Sequence, residues 1–552
     1  MPNATNLVEV LQQRAAVHGQ RPAYTFLADG EGELVSWTYA ELERRARACA
    51  IFLAAAGAAN GRVLLLLPPG LDFVAAFFGC SFAGAVAVPA YPPQSRRMLP
   101  RVRAILEDCR PAVVLSTAAV IARVASRFRE EWGDATPPWL AVEDIDPVQS
   151  DSWQDPGVAQ HSLALLQYTS GSTTAPRGVM ITQGNLLHNQ QLIQRACGHD
   201  ESSRFVSWLP VYHDLGLIGN VLQSAFVGAH CVLMAPVAFL QRPRRWLEAV
   251  SRYRATTSGG PDFAYDLCVR RVPPEERMGL DLGSWRIAFN GAEPVQARTL
   301  ERFAQAFAAA GFRRQALVPC YGLAEATLMV SGGPHAAGPL IPTFDSRALE
   351  RGLVIERTAP AADPAVRSLV GCGQPLSGQE VRIVDPDTRQ PCPPGRQGEI
   401  WVRGESVGLG YWGHARDASP QVFGACLAVG GEGTYLRTGD LGFQFRGQLF
   451  VSGRLKDLII VRGRNLYPQD IEAAIQESHP CLAGGQGAAF AVDDEAGERL
   501  VAVHEVEARQ GCGSEEVMAA AHLAVSELYE IPLHELVLIR SGTLPRTSSG
   551  KV

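Results

Sequence analysis

The chain has 552 residues, 47 % apolar and 19 % charged, with 50 Lys+Arg against 56 Asp+Glu for a formal net charge of −6. That length supplies roughly three or four globular units with ample cores, and the composition excludes a disordered chain. So slight an acidity gives no long-range pull on nucleic acid or anionic lipid, so any phosphate must be held by local groups.

Met1 to Leu11 lacks a basic start followed by an apolar core, and Glu9 interrupts it, so no export signal is expected. Apolar runs then alternate with helical patterns: RVLLLLPPG (Arg62 to Gly70), a helix from Leu71, GAVAVPA, PAVVLST (Pro111 to Thr117), HCVLMAP (His230 to Pro236) and WRIAFNG (Trp285 to Gly291). Strand, helix, strand at this spacing predicts βαβ units around a parallel sheet. The uncharged stretch FVAAFFGCSFAGAVAV ends at Val88 after 16 residues. A bilayer needs about 20, so the stretch reads as a small-residue helix under a sheet, followed by a buried strand Ala85 to Val88. Between Ser331 and Pro364 lies a loose Gly/Ala/Pro-rich segment. After about Gly371, short alternating strands with Gly and Pro turns (GQEVRIVDPDT, QGEIWVRGESVG) predict a smaller β-barrel or antiparallel layer. A helix is expected near Pro468, then an α+β segment with AAFAVDD and RLVAVHEVEA as strands, giving a domain boundary near Lys456. Twelve cysteines lie at least 20 residues apart, which removes CxxC zinc or thioredoxin patterns and suggests reduced thiols in a cytoplasmic protein.

GLGYWG (Gly408 to Gly413) satisfies GxGxxG, but it follows a β-rich stretch and leads into HARDASP rather than a helix, so a dinucleotide fold is not expected. There is no GxxxxGK[ST] sequence. In LLQYTSGSTTAPRGVMIT (Leu165 to Thr182) an apolar strand runs into six hydroxyl residues interleaved with Gly171, followed by Arg177. Gly lets backbone approach an anion, hydroxyls and N–H groups donate, and Arg177 adds charge, so this loop is the candidate phosphate cradle.

With that loop, LPVYHDLGLIG (Leu209 to Gly219), FNGAEPV (Phe289 to Val295), CYGLAEAT (Cys320 to Thr327), YLRTGDLG (Tyr435 to Gly442), GRLKDLIIVRGRN (Gly453 to Asn465) and PRTSSGK (Pro545 to Lys551) follow in order. The chain resembles the adenylate-forming ligases, which include acyl-CoA synthetases and peptide synthetase adenylation domains. Ala324 where CoA ligases usually carry Thr, PPGLDFVAAFFGC, VAVPAYPP, SGGPDFAYDLC (Ser258 to Cys268), RGRNLYPQDIE and an extra segment at about 331–367 make it similar to the fatty acyl-AMP ligase branch.

The resemblance implies an α/β fold. A large N-terminal domain, residues 1–455, holds two doubly wound βαβ subdomains plus a small β-barrel, and a small mobile α+β domain, residues 456–552, turns about a hinge at Lys456. The resemblance also implies that chains of this kind continue past the Lys551 position, so this one is expected to be truncated at its end. The implied reaction is attack of a fatty carboxylate on the α-phosphate of ATP, then transfer of the acyl group to the phosphopantetheine thiol of an acyl carrier protein or of a polyketide or peptide synthase carrier domain. A carboxylate is already ionised at pH 7, so no general base is required. By the same resemblance, Thr169, Ser170, Gly171, Ser172, Thr173, Thr174 and Arg177 hold the β and γ phosphates, and Glu325 binds Mg²⁺. Tyr321 and Gly322 face adenine, with Gly291, Ala292 and Glu293 shaping its pocket. Asp440 takes the ribose hydroxyls, assisted by Arg454; His213 lines the passage to the acyl chain; and Lys551 meets the charge developing at the α-phosphate. SGGPDFAYDLC and Val221 to Val232 are candidate walls for the chain. Two alternatives stay open: a fatty acyl-CoA ligase, differing in acceptor, and a non-catalytic acyl or nucleotide binding module, suggested by Arg177 and Ala324. Neither a nucleic-acid partner nor a membrane span is expected.

Overall fold

Apolar runs buried on both faces build two mainly parallel sheets in the first two thirds of the chain. The computed structural model describes residues 4–93, 98–132, 136–169, 176–360, 363, 365–429, 433–461, 464–494, 497–506, 513–529 and 531–545. One sheet runs Leu317–Pro319, Ile287–Asn290, Thr257–Gly260, Arg204–Ser207, His230–Met234, Pro22–Leu27, Glu33–Thr38 in spatial order, its last pair antiparallel. The other runs Trp139–Ala141, Val113–Ser116, Arg62–Leu66, Val86–Pro89, Leu163–Thr169, Arg177–Thr182, again with an antiparallel last pair. Helix Tyr39–Ala55 starts in a capping box, Thr38 Oγ1 accepting from Glu41 N while the Glu41 carboxylate accepts from Thr38 N. It packs on helix Leu71–Phe82, whose residues other than Asp72 are all buried in the core between the sheets. Among the described residues no helix is long and apolar enough to cross a membrane.

Next comes an antiparallel sheet of Glu380–Val384, Gly398–Arg403, Leu436–Phe445 and Gln448–Arg454. Cys372 N donates to Leu449 O at 2.7 Å and Leu449 N to Gly373 O at 2.9 Å, joining it to a three-stranded sheet of Tyr321–Gly322, Met329–Gly332 and Gln374–Pro375. The described residues of the segment expected to be loose include a strand and a short helix. Thr343–Asp345 pairs with Val366–Ser368, Asp345 caps helix Ser346–Glu350 through Ala348 N, and Phe344 and Leu349 pack against Phe443 and Phe450. Two well-placed apolar anchors outweigh its Gly and Pro content.

The last part has its own sheet, Gly487–Asp494, Gly497–Val506 and Glu535–Arg540, covered by helices Pro468–Ser478 and Ser514–Tyr529 around Ile471, Ile475, Leu500 and Val517. It meets the preceding sheets where Arg367 Nε lies 2.9 Å from Asp470 Oδ2 and the guanidinium sits 4.3 Å from the Tyr467 ring centre. Gln469 Nε2 donates to Ser452 O at 2.8 Å. Among the described residues ten cysteines are free, as expected of reduced thiols, whereas Cys481 is disulfide-bonded.

Candidate active site

The carboxyl ends of the strands in the seven-stranded sheet open into a cavity of about 2290 Å³ walled on its other sides by the antiparallel layer and the C-terminal unit. At one end, Tyr321 Oη donates to Asp440 Oδ2 at 2.7 Å and Arg454 Nε to Asp440 Oδ1 at 3.1 Å. Each carboxylate oxygen thus accepts from a donor fixed in the cavity wall, which sets the plane of the carboxylate. The turn carrying Asp440 is fixed by Glu399, which is 1 % exposed and accepts from Arg437 Nε at 2.9 Å and from Gly439 N at 3.1 Å. Gly322 has no alternative, since a Cβ there would lie 1.7 Å from Leu328 O. Burial, with the Asp440 carboxylate beside it, raises the Tyr321 phenol well above its ordinary value, so it stays a donor.

Across the cavity, Glu325 Oε1 accepts from Tyr411 Oη at 2.9 Å, and the Arg177 guanidinium lies 5.4 Å from the Tyr411 ring centre. Burial first, then the Asp214 and Asp440 charges, raise the Glu325 carboxyl above its usual range, against the bond from Tyr411. A cation beside Glu325 would relieve that cost. A buried carboxylate lining the cavity is the kind of oxygen donor that a hard cation such as Mg²⁺ shares with phosphate oxygens. His213 Nδ1 lies 2.6 Å from Asp214 Oδ1 and 3.4 Å from Leu215 N, which fixes the ring at the cavity wall.

The loop after strand Ile287–Asn290 turns through Ala292 at φ +70°. Asp262 Oδ1 ties it down, accepting from Asn290 Nδ2 at 3.0 Å and Gln296 N at 3.1 Å, while Glu293 Oε1 accepts from Phe263 N at 2.7 Å. Past His213 and Leu215 the walls become apolar, with Ile193, Ile287, Val318, Leu328 and Met329. A polar end holding anionic and hydroxyl-binding groups therefore continues into an apolar arm.

The family model described as AMP-binding enzyme matches residues 11–412. The chain belongs to the AMP-binding enzyme family. Within it the chain is a fatty acyl-AMP ligase. It is 44 % identical to a medium-chain-fatty-acid–[acyl-carrier-protein] ligase of Moorena producens, covering 100 % of this chain and 94 % of that one. It is 39 % identical to a 4-hydroxyphenylalkanoate adenylyltransferase of Mycobacterium marinum, over 99 % of this chain and 90 % of the relative. A crystal structure of a fatty acyl-adenylate ligase from L. pneumophila, in complex with acyl adenylate and pyrophosphate, aligns with TM-score 0.79 at 39 % identity, covering 99 % and 94 % of the two chains.

In this fatty acyl-AMP ligase, Thr169, Arg177, His213, Ala292, Glu293, Tyr321, Gly322, Glu325, Asp440, Arg454 and Lys456 all line the one cavity. Thr169 and Arg177 face each other at the mouth of an antiparallel pair. Ser170, Gly171, Ser172, Thr173, Thr174 and Lys551 lie outside the described residues. Gly291 is not a cavity wall; it allows close approach to Cys320, whose O and Sγ a Cβ would meet at 2.8 Å. None of the residues from Val221 to Val232 lines the cavity; Val221, Phe226 and Cys231 belong to the core, whereas Asp262, Phe263 and Asp266 of SGGPDFAYDLC do reach it.

Sequence patterns missed Tyr411. GLGYWG is followed by a short 3₁₀ turn and the five-residue helix Ser419–Phe423, not by the long helix of a dinucleotide site. Instead it wraps the edge strand, Met180 N donating to Gly410 O at 2.9 Å and Trp412 N to Gly178 O at 2.7 Å, and so presents Tyr411 to Glu325.

Proposed function

We propose that the chain joins a fatty acid to AMP with release of pyrophosphate and then passes the acyl group to the phosphopantetheine thiol of an acyl carrier protein. The observation that carries this reading is one cavity in which Asp440, Arg454, Glu325 and Arg177 share space with an apolar arm. An ionised fatty carboxylate attacks the α-phosphorus, an O–P bond forms, and the bond to the β-phosphate breaks with its electron pair on pyrophosphate. With the nucleophile already charged, the barrier is electrostatic, and residues that position and neutralise are what the reaction needs. Asp440 takes the ribose hydroxyls, with Tyr321 and Arg454 holding its orientation. Arg177, which follows the hydroxyl-rich segment 170–174 in the chain, neutralises phosphate oxygens, and Lys551 meets the α-phosphate charge. Glu325 would hold Mg²⁺ together with ATP oxygens, and the ion when bound would spread charge building on the phosphates.

In the second step the thiolate attacks the acyl carbonyl and AMP leaves. The carrier is a free protein or a polyketide or peptide synthase domain; the acceptor named for the Moorena relative supports this reading, and that relative's medium-chain acyl group is the first to try. A domain boundary and hinge at Lys456 suit the exposed 3₁₀ turn Leu455–Asp457, which links the four-stranded sheet to the C-terminal unit. Use of ATP and of a carrier protein supports a cytoplasmic location. Pyrophosphate–ATP exchange over a panel of fatty acids tests the first step: exchange dependent on fatty acid is expected, and none with any acid would overturn the reading.

A further inference from the structure

The far end of the apolar arm is polar. Thr257 and Ile287 are the first residues of adjacent parallel strands and are paired in register, whereas the nucleotide groups stand at the opposite ends, from Asn290 onward. The cavity therefore runs the length of these strands, about 10 Å at about 3.3 Å per residue from Asn290 back to Ile287. Ile193 and Cys197, one turn apart on helix Gln183–Cys197, cover it, with Val318 opposite. The arm closes on Thr257 and His199, which are 1 % and 6 % exposed.

Thr257 Oγ1 lies 3.1 Å from His199 Nε2, and His199 Nδ1 lies 3.4 Å from the side-chain amide of the buried Gln223. Burial holds the imidazole neutral, pushing it down to about 4. Two arrangements fit. With the Gln223 NH₂ toward Nδ1, Nε2 carries the proton and donates to Thr257, whose own hydroxyl hydrogen is then available to the cavity. With the amide reversed, Nδ1–H donates to Gln223 and Nε2 accepts from Thr257, whose lone pairs are available instead. The group that complements both is a hydroxyl, which can donate or accept.

We infer that His199 and Thr257 form a polar stop that selects an acyl chain carrying a hydroxyl at its distal end, an ω-hydroxy fatty acid, over the unsubstituted chain of the same length. This rests on the proposed adenylation and names its substrate class. A methyl end of matching length leaves the Thr257 capacity unused or traps a water; an ω-hydroxyl completes the bond, worth about tenfold in kcat/KM. A shorter ω-hydroxy chain strands its hydroxyl among Ile193, Ile287 and Val318 and is disfavoured.

The test is pyrophosphate–ATP exchange with paired alkanoates and ω-hydroxyalkanoates of stepwise increasing length, read as the ratio of kcat/KM within each pair. The ratio cancels the fraction of folded enzyme, so a poorly folding variant cannot mimic the effect. The expected result is a maximum at one length, about tenfold above its neighbours, that disappears in Thr257→Val and persists in Thr257→Ser. A ratio without a maximum, or a maximum that survives Thr257→Val, overturns the inference while leaving adenylation intact. Exchange with neither series refutes the activity and the inference together.

Discussion

Asp262 offers a perturbation whose size can be worked out. It is 6 % exposed at the start of helix Asp262–Arg271, and burial, followed by the Glu293 charge, pushes its carboxyl from 3.8 up to about 7. Below about pH 4 both folded and unfolded chains hold the proton, and the group costs nothing. As pH rises from there toward 7 the unfolded chain releases its proton first, so stability falls, and above about 7 the folded chain carries the whole cost. At about 1.4 kcal/mol per pH unit that cost is about 4 kcal/mol. Asp262→Asn keeps an oxygen to accept from Asn290 Nδ2 and Gln296 N and removes the titration. The variant should therefore exceed the parent in stability at pH 8 by about 2 to 4 kcal/mol, a gap that closes toward pH 4. Urea unfolding followed by tryptophan fluorescence reads it, since Trp285 shares an apolar cluster with Ala264 and Tyr265 on the same helix. A gap independent of pH, or one that widens toward acid, would refute the reasoning.

Tyr411→Phe removes the donor to Glu325, so that carboxyl rises further; the acid limb of the adenylation pH profile should move to higher pH and the rate at pH 7 should drop about tenfold, and an unmoved limb would count against the pairing. Arg367→Met strips the charge partner from Asp470 at a partly buried contact, at about 1 to 3 kcal/mol. Limited proteolysis near Leu455–Asp457 should then be faster, and Asp470→Asn in the same background should restore part of the protection. Lys551→Ala should lower acyl-adenylate formation by several powers of ten while transfer from supplied acyl-adenylate continues, measured as separate half-reactions; equal loss of both would contradict a role confined to the first step.

The parallel strands were legible because runs such as RVLLLL are apolar throughout, as strands buried on both faces must be. Tyr321, Glu325 and Asp440 could be named because each sits in a short contiguous motif, yet nothing local announces that Tyr321 Oη and Asp440 Oδ2, 119 positions apart, share a hydrogen bond. The acyl arm could not be read for the opposite reason: Ile193, Thr257, Ile287 and Val318 come one at a time from separate elements. Val221 to Val232 has the same apolar character but spends it on the core. Arg367 and Asp470 lie in segments read as the end of an extra segment and a helix start, and only the packing of the C-terminal unit brings them to 2.9 Å.

The most direct test of the account is one incubation of the enzyme with ATP, Mg²⁺, a fatty acid, CoA and a phosphopantetheinylated carrier protein, sampled over time by mass spectrometry. The account predicts acyl-adenylate first, then its acyl group on the carrier thiol with AMP released in equal amount. Acyl-CoA as the main product would contradict the carrier step, and no acyl-adenylate at any time would contradict the central claim.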